Sequence, residues 1–305
     1  MSILVSAVIP VYNYGRFVAR AIDSVLAQTH APVECVVVDD GSTDDTPQVL
    51  SGYGERIRAL RQENRGLSAA RNAGIRAARG AYVALLDADD TWKPEKLARQ
   101  LAAVKADPAI GAVGCGYEWI HADGPPRRFE GKAWPTERRE RLRALAMRET
   151  WLGGSGSGAL VRRKVFDEVG FFDERLRCAE DWDMWLRIAD RYRIVNVPEV
   201  LVSILQHRTG TFRNAEKFEA AQGEVCRAAA ERWPEVLDAR LQRRMRALIL
   251  ADAGAEYIAM RDLGKALDRY RASVKTWPYD LVRWGIVARL ALKAAVGHDA
   301  GRSAC

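Results

Sequence analysis

Residues 82–90 read Tyr-Val-Ala-Leu-Leu-Asp-Ala-Asp-Asp, a short apolar run that ends in a cluster of carboxylates. Because residues 82–86 show no polar alternation, the pattern is typical of a strand buried on both faces of a parallel sheet. Side chains that follow the carboxyl end of such a strand lie at the edge where open α/β sheets bind ligands. Asp87 and Asp89, with one small residue between them, could therefore converge on a hard divalent cation. Taken alone, the stretch is explained equally well as an acidic turn whose aspartate caps the next helix.

The first third of the chain alternates strand-like and helix-like segments. Phe17, Ala21 and Val25 recur at helical spacing, and Pro94 is well placed to open a further helix. Strand–helix–strand repetition implies right-handed crossovers and a largely parallel sheet, so we predict an α/β fold with helices flanking a mostly parallel sheet. Strands are predicted at 3–9, 33–39, 57–60, 82–87, 111–119, 159–162, 193–197 and 201–205.

From about residue 215 no strand pattern remains, and the chain is predicted to be helical to its end. We therefore predict two domains, 1–214 and 215–305, of which the second is a C-terminal helical extension. Small, aromatic and proline positions there match a single tetratricopeptide repeat, namely Gly254, Tyr257, Ala266, Tyr270 and Pro278. One repeat cannot form a solenoid, so a helical hairpin is the simpler interpretation.

A short basic amphipathic helix is predicted near the end of the chain. Its apolar face would consist of Trp284, Val287, Ala291 and Ala294, with Arg283, Arg289 and Lys293 nearby. Such a helix suits either a membrane surface or a partner helix.

Composition narrows the class of protein. The 305 residues are 48% hydrophobic and 29% charged, which excludes a disordered chain. The net charge of +7 is compatible with a phosphorylated substrate, an anionic membrane surface or nucleic acid, but no nucleic-acid-binding motif is present, so we expect no nucleic-acid partner. The five cysteines lack metal-site spacing, and no apolar run reaches the roughly 18 residues of a membrane span. We expect a cytoplasmic protein, with peripheral attachment to the inner face of the membrane as an alternative.

Hydrogen-bonding side chains follow three of the predicted strands. Residues 9–13, Ile-Pro-Val-Tyr-Asn, close the first strand, and residues 38–44, Val-Asp-Asp-Gly-Ser-Thr-Asp, close the second. Residues 87–90 close a third. Together they offer what a nucleotide requires: a carboxylate for the base, an aromatic face, and a metal for the diphosphate. The Gly- and Ser-rich stretch 153–158 is predicted to be a flexible hinge.

Several motifs in a fixed order carry a family resemblance. They are Val-Ile-Pro-Val-Tyr-Asn at 8–13, Val-Val-Val-Asp-Asp-Gly-Ser-Thr-Asp at 36–44, Gly-Leu-Ser-Ala-Ala-Arg-Asn-Ala-Gly at 66–74, Asp-Ala-Asp-Asp at 87–90, Gly-Phe-Phe-Asp at 170–173 and Glu-Asp-Trp-Asp at 180–183. In order and spacing the chain resembles a family 2 glycosyltransferase with the GT-A fold. The resemblance covers about two thirds of the chain, roughly residues 4–210, and leaves the helical extension unexplained.

The resemblance implies a binding site for a nucleotide-sugar. Tyr12 and Asp40 should hold the nucleotide base, and Asp87 should hold its ribose or the sugar. Pro10 and Ala88, in the same motifs, are expected to belong to this site.

The resemblance also implies a divalent metal. Asp89 should be the direct ligand of Mn²⁺ or Mg²⁺, which bridges the two phosphates and acts as a Lewis acid on the leaving diphosphate. Arg71, in a loop that follows a strand, should contact the diphosphate or the base, although a surface arginine is the alternative. His207 could contact the diphosphate or the metal, and a surface histidine explains it as well.

The catalytic base is sought among the carboxylates of 180–183. Trp182 and Trp185 belong to an apolar pattern that predicts a helix beginning here, so Asp181 would lie at a helix N-terminus, where the macrodipole favours its ionised form. That position suits a base and an ordinary N-cap equally. The resemblance favours Asp181 as the base, with Glu180 in support. Trp182 could stack on the acceptor sugar, but a core tryptophan is the commoner case.

The sequence thus predicts an inverting, metal-dependent glycosyltransferase. Its donor would be a nucleotide-sugar, with a leaning to UDP, and its acceptor a glycan or a lipid-linked molecule in polysaccharide or glycoconjugate synthesis. A polyprenyl-phosphate transferase is a rival that the lack of a membrane span weakens. A non-catalytic glycan- or nucleotide-binding scaffold on a degenerate transferase fold is the other alternative.

Overall fold

A computed structural model describes residues 3–105, 107, 109–121, 124–152, 154–207 and 215–302, with the backbone alone at 293–302. The chain divides into two compact units, Met1–Arg208 and Thr209–Cys305. The predicted boundary after residue 214 adjoins the undescribed segment 208–214 and stays a prediction.

One mixed sheet organises the first unit. Its strands are β1 (Val5–Val11), β2 (Val33–Asp39), β3 (Arg58–Arg61), β4 (Tyr82–Leu85), β5 (Thr91–Trp92), β6 (Ile110–His121), β7 (Arg127–Phe129), β8 (Leu160–Arg162) and β9 (Arg193–Gln206). Their order is β3-β2-β1-β4-β8-β6-β9-β5, with β7 paired to β6. Strands β1 to β4 run parallel, as do β6 and β9, whereas β5, β7 and β8 pair antiparallel.

Helices cover this sheet: α1 (Gly15–Leu26), α2 (Thr46–Ser51), α3 (Leu67–Ala77), α4 (Lys96–Lys105), α5 (Arg138–Ala146), α6 (Arg163–Val169) and α7 (Glu180–Arg191). On α1, Val18, Ala21, Ile22 and Val25 are buried, which is the spacing of one helical face. The predicted α/β fold is confirmed. The strands predicted at 193–197 and 201–205 are one strand, β9, in which residues 198 and 199 bulge out of the pairing with β6.

Register brings the candidate motifs to one edge of the sheet. Val11 of β1 pairs with Asp39 of β2, and the Asp40 N–H donates to the Val11 carbonyl at 2.9 Å. On the other side of β1, the Leu86 N–H donates to the Val8 carbonyl at 3.1 Å. Because these strands are parallel, the segments after β2, β1 and β4 emerge side by side.

The second unit is helical, as predicted, with α8 (Ala215–Arg232), α9 (Ala239–Ala259), α10 (Leu263–Thr276) and α11 (Leu281–Arg302). Helices α9 and α10 form a hairpin in which Tyr257, Ala266 and Tyr270 are buried in one cluster. A Cβ at Gly254 would lie 2.7 Å from the Tyr270 ring, so the small residue makes room for the aromatic one. The repeat-like pattern therefore describes the packing of a single helical hairpin.

Helix α11 differs from the predicted basic amphipathic helix. Val287 and Ala291 pack against the buried cluster of this unit, but Trp284 is exposed. Arg283 is buried, pairs with Asp280 at 3.1 Å and donates to the Ser273 hydroxyl at 3.1 Å, so it does not lie on an exposed basic face. The side chains of Lys293 and Ala294 lie outside the described part. Within the described residues, no helix has the length and apolar character of a membrane span.

Candidate active site

The carboxylates after β4 form a tight turn. The Asp90 N–H donates to the Asp87 carbonyl at 3.1 Å, with Ala88 buried in the core between them. Asp87 and Asp89 remain partly exposed, whereas Asp90 is buried. Burial and the nearby charge of Asp87 raise the pKa of Asp89. Burial, followed by the charges of Asp89 and Asp87, raises the pKa of Asp90 well above its ordinary value. Three carboxyl groups are thus crowded together where the sequence predicts a cation.

Arg71 joins two parts of the site. Its Nη2 lies 2.6 Å from Asp87 Oδ1 and its Nη1 lies 2.5 Å from Glu180 Oε1. The predicted loop position was wrong, because Arg71 lies on α3, and the surface alternative was wrong too, since its side chain is 2% exposed. Burial lowers the pKa of Arg71, but the charges of Asp87 and Glu180 outweigh it and raise the pKa overall. Both terminal nitrogens are engaged with carboxylates and the side chain is almost fully buried, so Arg71 exposes little surface to a diphosphate in this structure.

Asp181 lies in the first turn of α7, as predicted. The N-cap is Ala179, in the left-handed region, so Asp181 is not the N-cap residue. Its carboxylate accepts from the Trp182 N–H at 2.7 Å. Burial of the carboxyl group and the charge of Glu180 raise the pKa of Asp181 to about 7, against the opposing effect of Arg71. A carboxyl group with such a pKa can accept a proton near neutral pH.

Trp182 has a structural position. Its ring is buried, and its indole N–H donates to the Leu145 carbonyl at 3.2 Å. Leu145 lies on α5, so Trp182 fixes α7 against α5. Its buried ring is not available to stack on an acceptor sugar.

His207 meets the carboxylate turn. Its Nε2 lies 2.9 Å from Asp89 Oδ2, and its ring stacks on Phe17 with centroids 4.8 Å apart. Tyr14 contacts the same ring edge-on at 5.7 Å. Burial and the charge of Asp89 raise the pKa of Tyr14 to about 12, so the hydroxyl stays neutral. The two residues predicted as metal ligands are therefore adjacent, while residues 208–211 that follow His207 lie outside the described part.

Three predicted nucleotide-binding residues lie at the ends of β1 and β2. Tyr12 is 45% exposed, but Pro10 is buried within β1 opposite Val38. Asp40 is buried, and its carboxylate accepts from Gln62 Nε2 at 2.7 Å and from two backbone N–H groups in the 65–66 segment at 3.0 and 2.7 Å. In this structure Asp40 anchors the start of α3, which leaves Tyr12 as the exposed group. Their roles toward a nucleotide stay predictions.

Sequence reasoning missed Ser157. The predicted hinge at 153–158 was wrong for its described part, because residues 156–158 form a buried turn. The Ser157 hydroxyl donates to Asp90 Oδ2 at 2.6 Å and accepts from the Asp87 N–H at 3.0 Å. Nothing in a Gly- and Ser-rich stretch distinguishes this serine from its neighbours. No role was predicted for Asp90 beyond its place in the carboxylate motif, and Phe17 was predicted only as part of the apolar pattern of α1.

Asp89 and His207 provide a carboxylate oxygen and an imidazole nitrogen for a cation. Within the described ranges no cluster of three or more ligating side chains occurs, so an all-protein cage is absent there. Mg²⁺ commonly keeps several waters and is held by one or two carboxylates together with substrate phosphates. The residues present therefore fit a cation that is shared with a diphosphate.

Comparison with known proteins finds relatives of this chain. The model of glycosyl transferase family 2 matches residues 6–170. An uncharacterized glycosyltransferase of Rickettsia prowazekii is 33% identical over 220 residues, which cover 70% of this chain and 67% of that protein. Chondroitin synthase of Escherichia coli is 28% identical over 211 residues, 68% of this chain but 30% of that one.

Solved structures show the same fold. TarS of S. aureus in complex with UDP-GlcNAc is 17% identical, with a TM-score of 0.61 over 89% of this chain and 81% of that one. The mannosyltransferase PcManGT of Pyrobaculum calidifontis, in complex with GDP-Man and Mn²⁺, is 22% identical, with a TM-score of 0.58 over 97% and 87% of the two chains. At these identities the likeness establishes the GT-A fold.

Proposed function

The chain belongs to glycosyl transferase family 2 and is a glycosyltransferase, and on that premise we propose that it transfers a sugar from a nucleotide-sugar by a metal-dependent, inverting reaction. The observation that carries the proposal is the link between its two sets of carboxylates. Arg71 pairs with Asp87 on the donor side and with Glu180 beside Asp181 on the base side. One buried guanidinium thus holds the donor-binding turn and the base-carrying helix in a fixed relation.

In the proposed reaction the acceptor hydroxyl attacks the anomeric carbon while Asp181 removes its proton. The bond between that carbon and the diphosphate oxygen breaks, and the nucleoside diphosphate leaves with the electron pair. A single displacement inverts the configuration at the anomeric carbon, so an α-linked donor gives a β-linked product. The pKa of Asp181, raised to about 7, supports its role, because a base works best when its pKa is near the working pH.

Asp89 and His207 would hold Mn²⁺ or Mg²⁺, and the bound cation would offset charge that develops on the leaving diphosphate. Their adjacency at 2.9 Å supports a shared ligand. Exposed Tyr12 would stack on the base, and we propose uridine because TarS is solved with UDP and UDP-GlcNAc. PcManGT is solved with GDP-Man, so the test includes both bases. The acceptor is proposed to be a glycan or a lipid-linked molecule.

The test measures donor binding and turnover separately. Wild-type protein is incubated with UDP- and GDP-sugars, with and without Mn²⁺, and free nucleotide is quantified. Asp181→Asn should leave donor affinity unchanged and lower the transfer rate by about 10²–10⁴-fold, because the shape is kept and the proton acceptor is lost. Glu180→Gln is the matched control and should cost less. Binding without turnover in the wild-type protein would instead support the scaffold alternative, and a larger loss for Glu180→Gln would move the base by one residue.

A further inference from the structure

Asp90 connects the two candidate metal ligands without facing the site itself. Its Oδ1 accepts from the Leu205 N–H at 3.1 Å, and Leu205 lies on β9 two residues before His207. Its Oδ2 accepts from the Ser157 hydroxyl at 2.6 Å. Asp89 precedes Asp90 in the same turn. One buried carboxylate therefore ties the turn that carries Asp89 to the strand that leads to His207.

Ser157 completes this connection. A hydroxyl group has one hydrogen and two lone pairs, so Ser157 can donate to Asp90 and accept from the Asp87 N–H, at 3.0 Å, at the same time. These two contacts fix both ends of the four-residue turn that contains Asp89. The Ser157 side chain is 0% exposed, so no water competes for the bonds.

Side chains of other segments hold the turn that carries Ser157. The Ser157 carbonyl accepts from Trp92 Nε1 at 2.8 Å, and the Gly158 carbonyl accepts from Gln100 Nε2 at 2.8 Å. The Lys96 ammonium lies 4.0 Å from the centre of the Trp92 ring, which keeps the indole in place. These contacts hold Ser157 in place beside the turn that carries Asp89.

Asp90 is held in place by hydrogen bonds. Its side chain is buried, and it makes no ion pair with any residue that the structure describes. A buried carboxyl group needs hydrogen-bond partners, and those of Asp90 come from the Ser157 hydroxyl and from the Leu205 N–H on β9.

We propose that Asp90 and Ser157 are positioning residues that set Asp89 and His207 at the separation a divalent cation requires. This inference rests on the proposed function, since it concerns the cation of that reaction. Asp90 and Ser157 would raise the affinity for the cation without contacting it.

Ser6 provides a matched control. It is also a serine with 0% exposure, its hydroxyl also donates to a carboxylate, that of Glu34, and it also accepts from a backbone N–H, that of Gly80 at 2.8 Å. It lies near the amino end of β1, away from the edge that carries the site. Ser6→Ala and Ser157→Ala therefore remove the same kinds of bonds, and only the second removes them from the metal-binding turn.

The experiment uses UDP as the probe and thermal shift as the readout. The Mn²⁺ concentration that gives half-maximal stabilisation in the presence of UDP is measured for wild type and each variant. Ser157→Ala should raise it by about tenfold or more, which corresponds to roughly 1.4 kcal/mol. Ser6→Ala should lower the melting temperature of the free protein about as much as Ser157→Ala does, but it should leave the Mn²⁺ requirement unchanged. Ser155→Ala, which removes the hydroxyl that accepts from the Ser157 N–H at 3.1 Å, should raise the requirement by a smaller factor.

Equal Mn²⁺ requirements for Ser157→Ala and Ser6→Ala would overturn the inference. If Ser157→Ala fails to fold, Ser155→Ala decides, and an unchanged Mn²⁺ requirement there would overturn it as well. Failure of the proposed function would be seen earlier, as the absence of any Mn²⁺-dependent stabilisation by UDP in the wild-type protein, and would remove the role of both residues in metal binding.

Discussion

Asp181 shows opposing electrostatic effects within one side chain. Its place in the first turn of α7 favours the ionised carboxylate, through the helix dipole and the Trp182 N–H. Burial and the charge of Glu180 oppose ionisation more strongly, because the pKa is raised to about 7. The ionised group is therefore unfavourable in the folded protein at neutral pH. Perturbation of this kind is expected of a functional group and not of a helix cap, which would stabilise the helix.

Asp181→Asn should therefore make the protein more stable at pH 8. The folded-state pKa of about 7 exceeds the unfolded value near 3.8, so the folded protein binds the proton more tightly between these values. The wild-type protein then loses stability as pH rises from about 4 to 7, and the loss is complete above pH 7. Asparagine removes this loss, so the gain should be largest at pH 8 and absent near pH 4. Melting temperatures at both pH values provide the measurement.

Asp183→Asn is the control for that experiment. Asp183 lies in the same first turn, but its carboxylate pairs with Arg187 at 2.8 Å. Its loss should lower the melting temperature at pH 8. A decrease for Asp181→Asn of the same size would show that Asp181 is a structural residue of the helix N-terminus.

At the level of elements, α3 unites the motifs. Asn72 forms two hydrogen bonds with the backbone of Phe172, each at 2.9 Å, so the motif at 66–74 contacts the motif at 170–173. Arg71, the residue before it, reaches the carboxylate turn after β4 and the start of α7. A single helix thus sets the relation between segments that are distant in sequence.

Removal of the Arg71 guanidinium should therefore lower the free energy of unfolding. Arg71→Met leaves Glu180 buried and unpaired, and breaking a buried pair typically costs about 3–5 kcal/mol. Arg65→Met is the control, because Arg65 pairs with Glu174 at 2.8 Å while its own side chain is 63% exposed, and exposed pairs contribute about 0–1 kcal/mol. Urea unfolding of both variants measures the difference. Similar losses for the two would contradict the bridging role of Arg71.

The strand ends and the order of the motifs could be predicted because both are local properties of the sequence. The strand 33–39 was predicted with its observed bounds, since its apolar run is continuous. Arg71 was misplaced because the buried side of α3 includes Ser68, Arg71 and Asn72, which weakens the apolar periodicity that marks a helix. Its partners lie 16 and 109 positions away, and pairing at such separations is decided by tertiary packing.

On the scale of the whole molecule, the candidate site residues and the C-terminal helices belong to different units of the chain. Every candidate site residue precedes residue 208 and belongs to the first unit. The second unit has an apolar cluster of its own, which includes Tyr257, Tyr270 and Leu290. The outer side of α11 carries Leu281, Trp284 and Leu292, all exposed. Helix α11 is therefore apolar on two sides, and only one of them packs within its unit.

Two leucines on α11 distinguish the packed side from the outer side. Leu290 is 5% exposed and Leu292 is 66% exposed, and they lie roughly 200° apart around the helix axis. Leu290→Ser should lower the free energy of unfolding of the helical unit by about 2–5 kcal/mol, as for other large-to-small changes in a core. Leu292→Ser should change it by roughly 0.5 kcal/mol or less. Hydrogen exchange should show faster opening of α10 in the first variant only, while Mn²⁺-dependent UDP binding should persist in both because the site lies in the other unit. A larger loss for Leu292→Ser than for Leu290→Ser would mean that the outer side of α11 is the side that packs against protein.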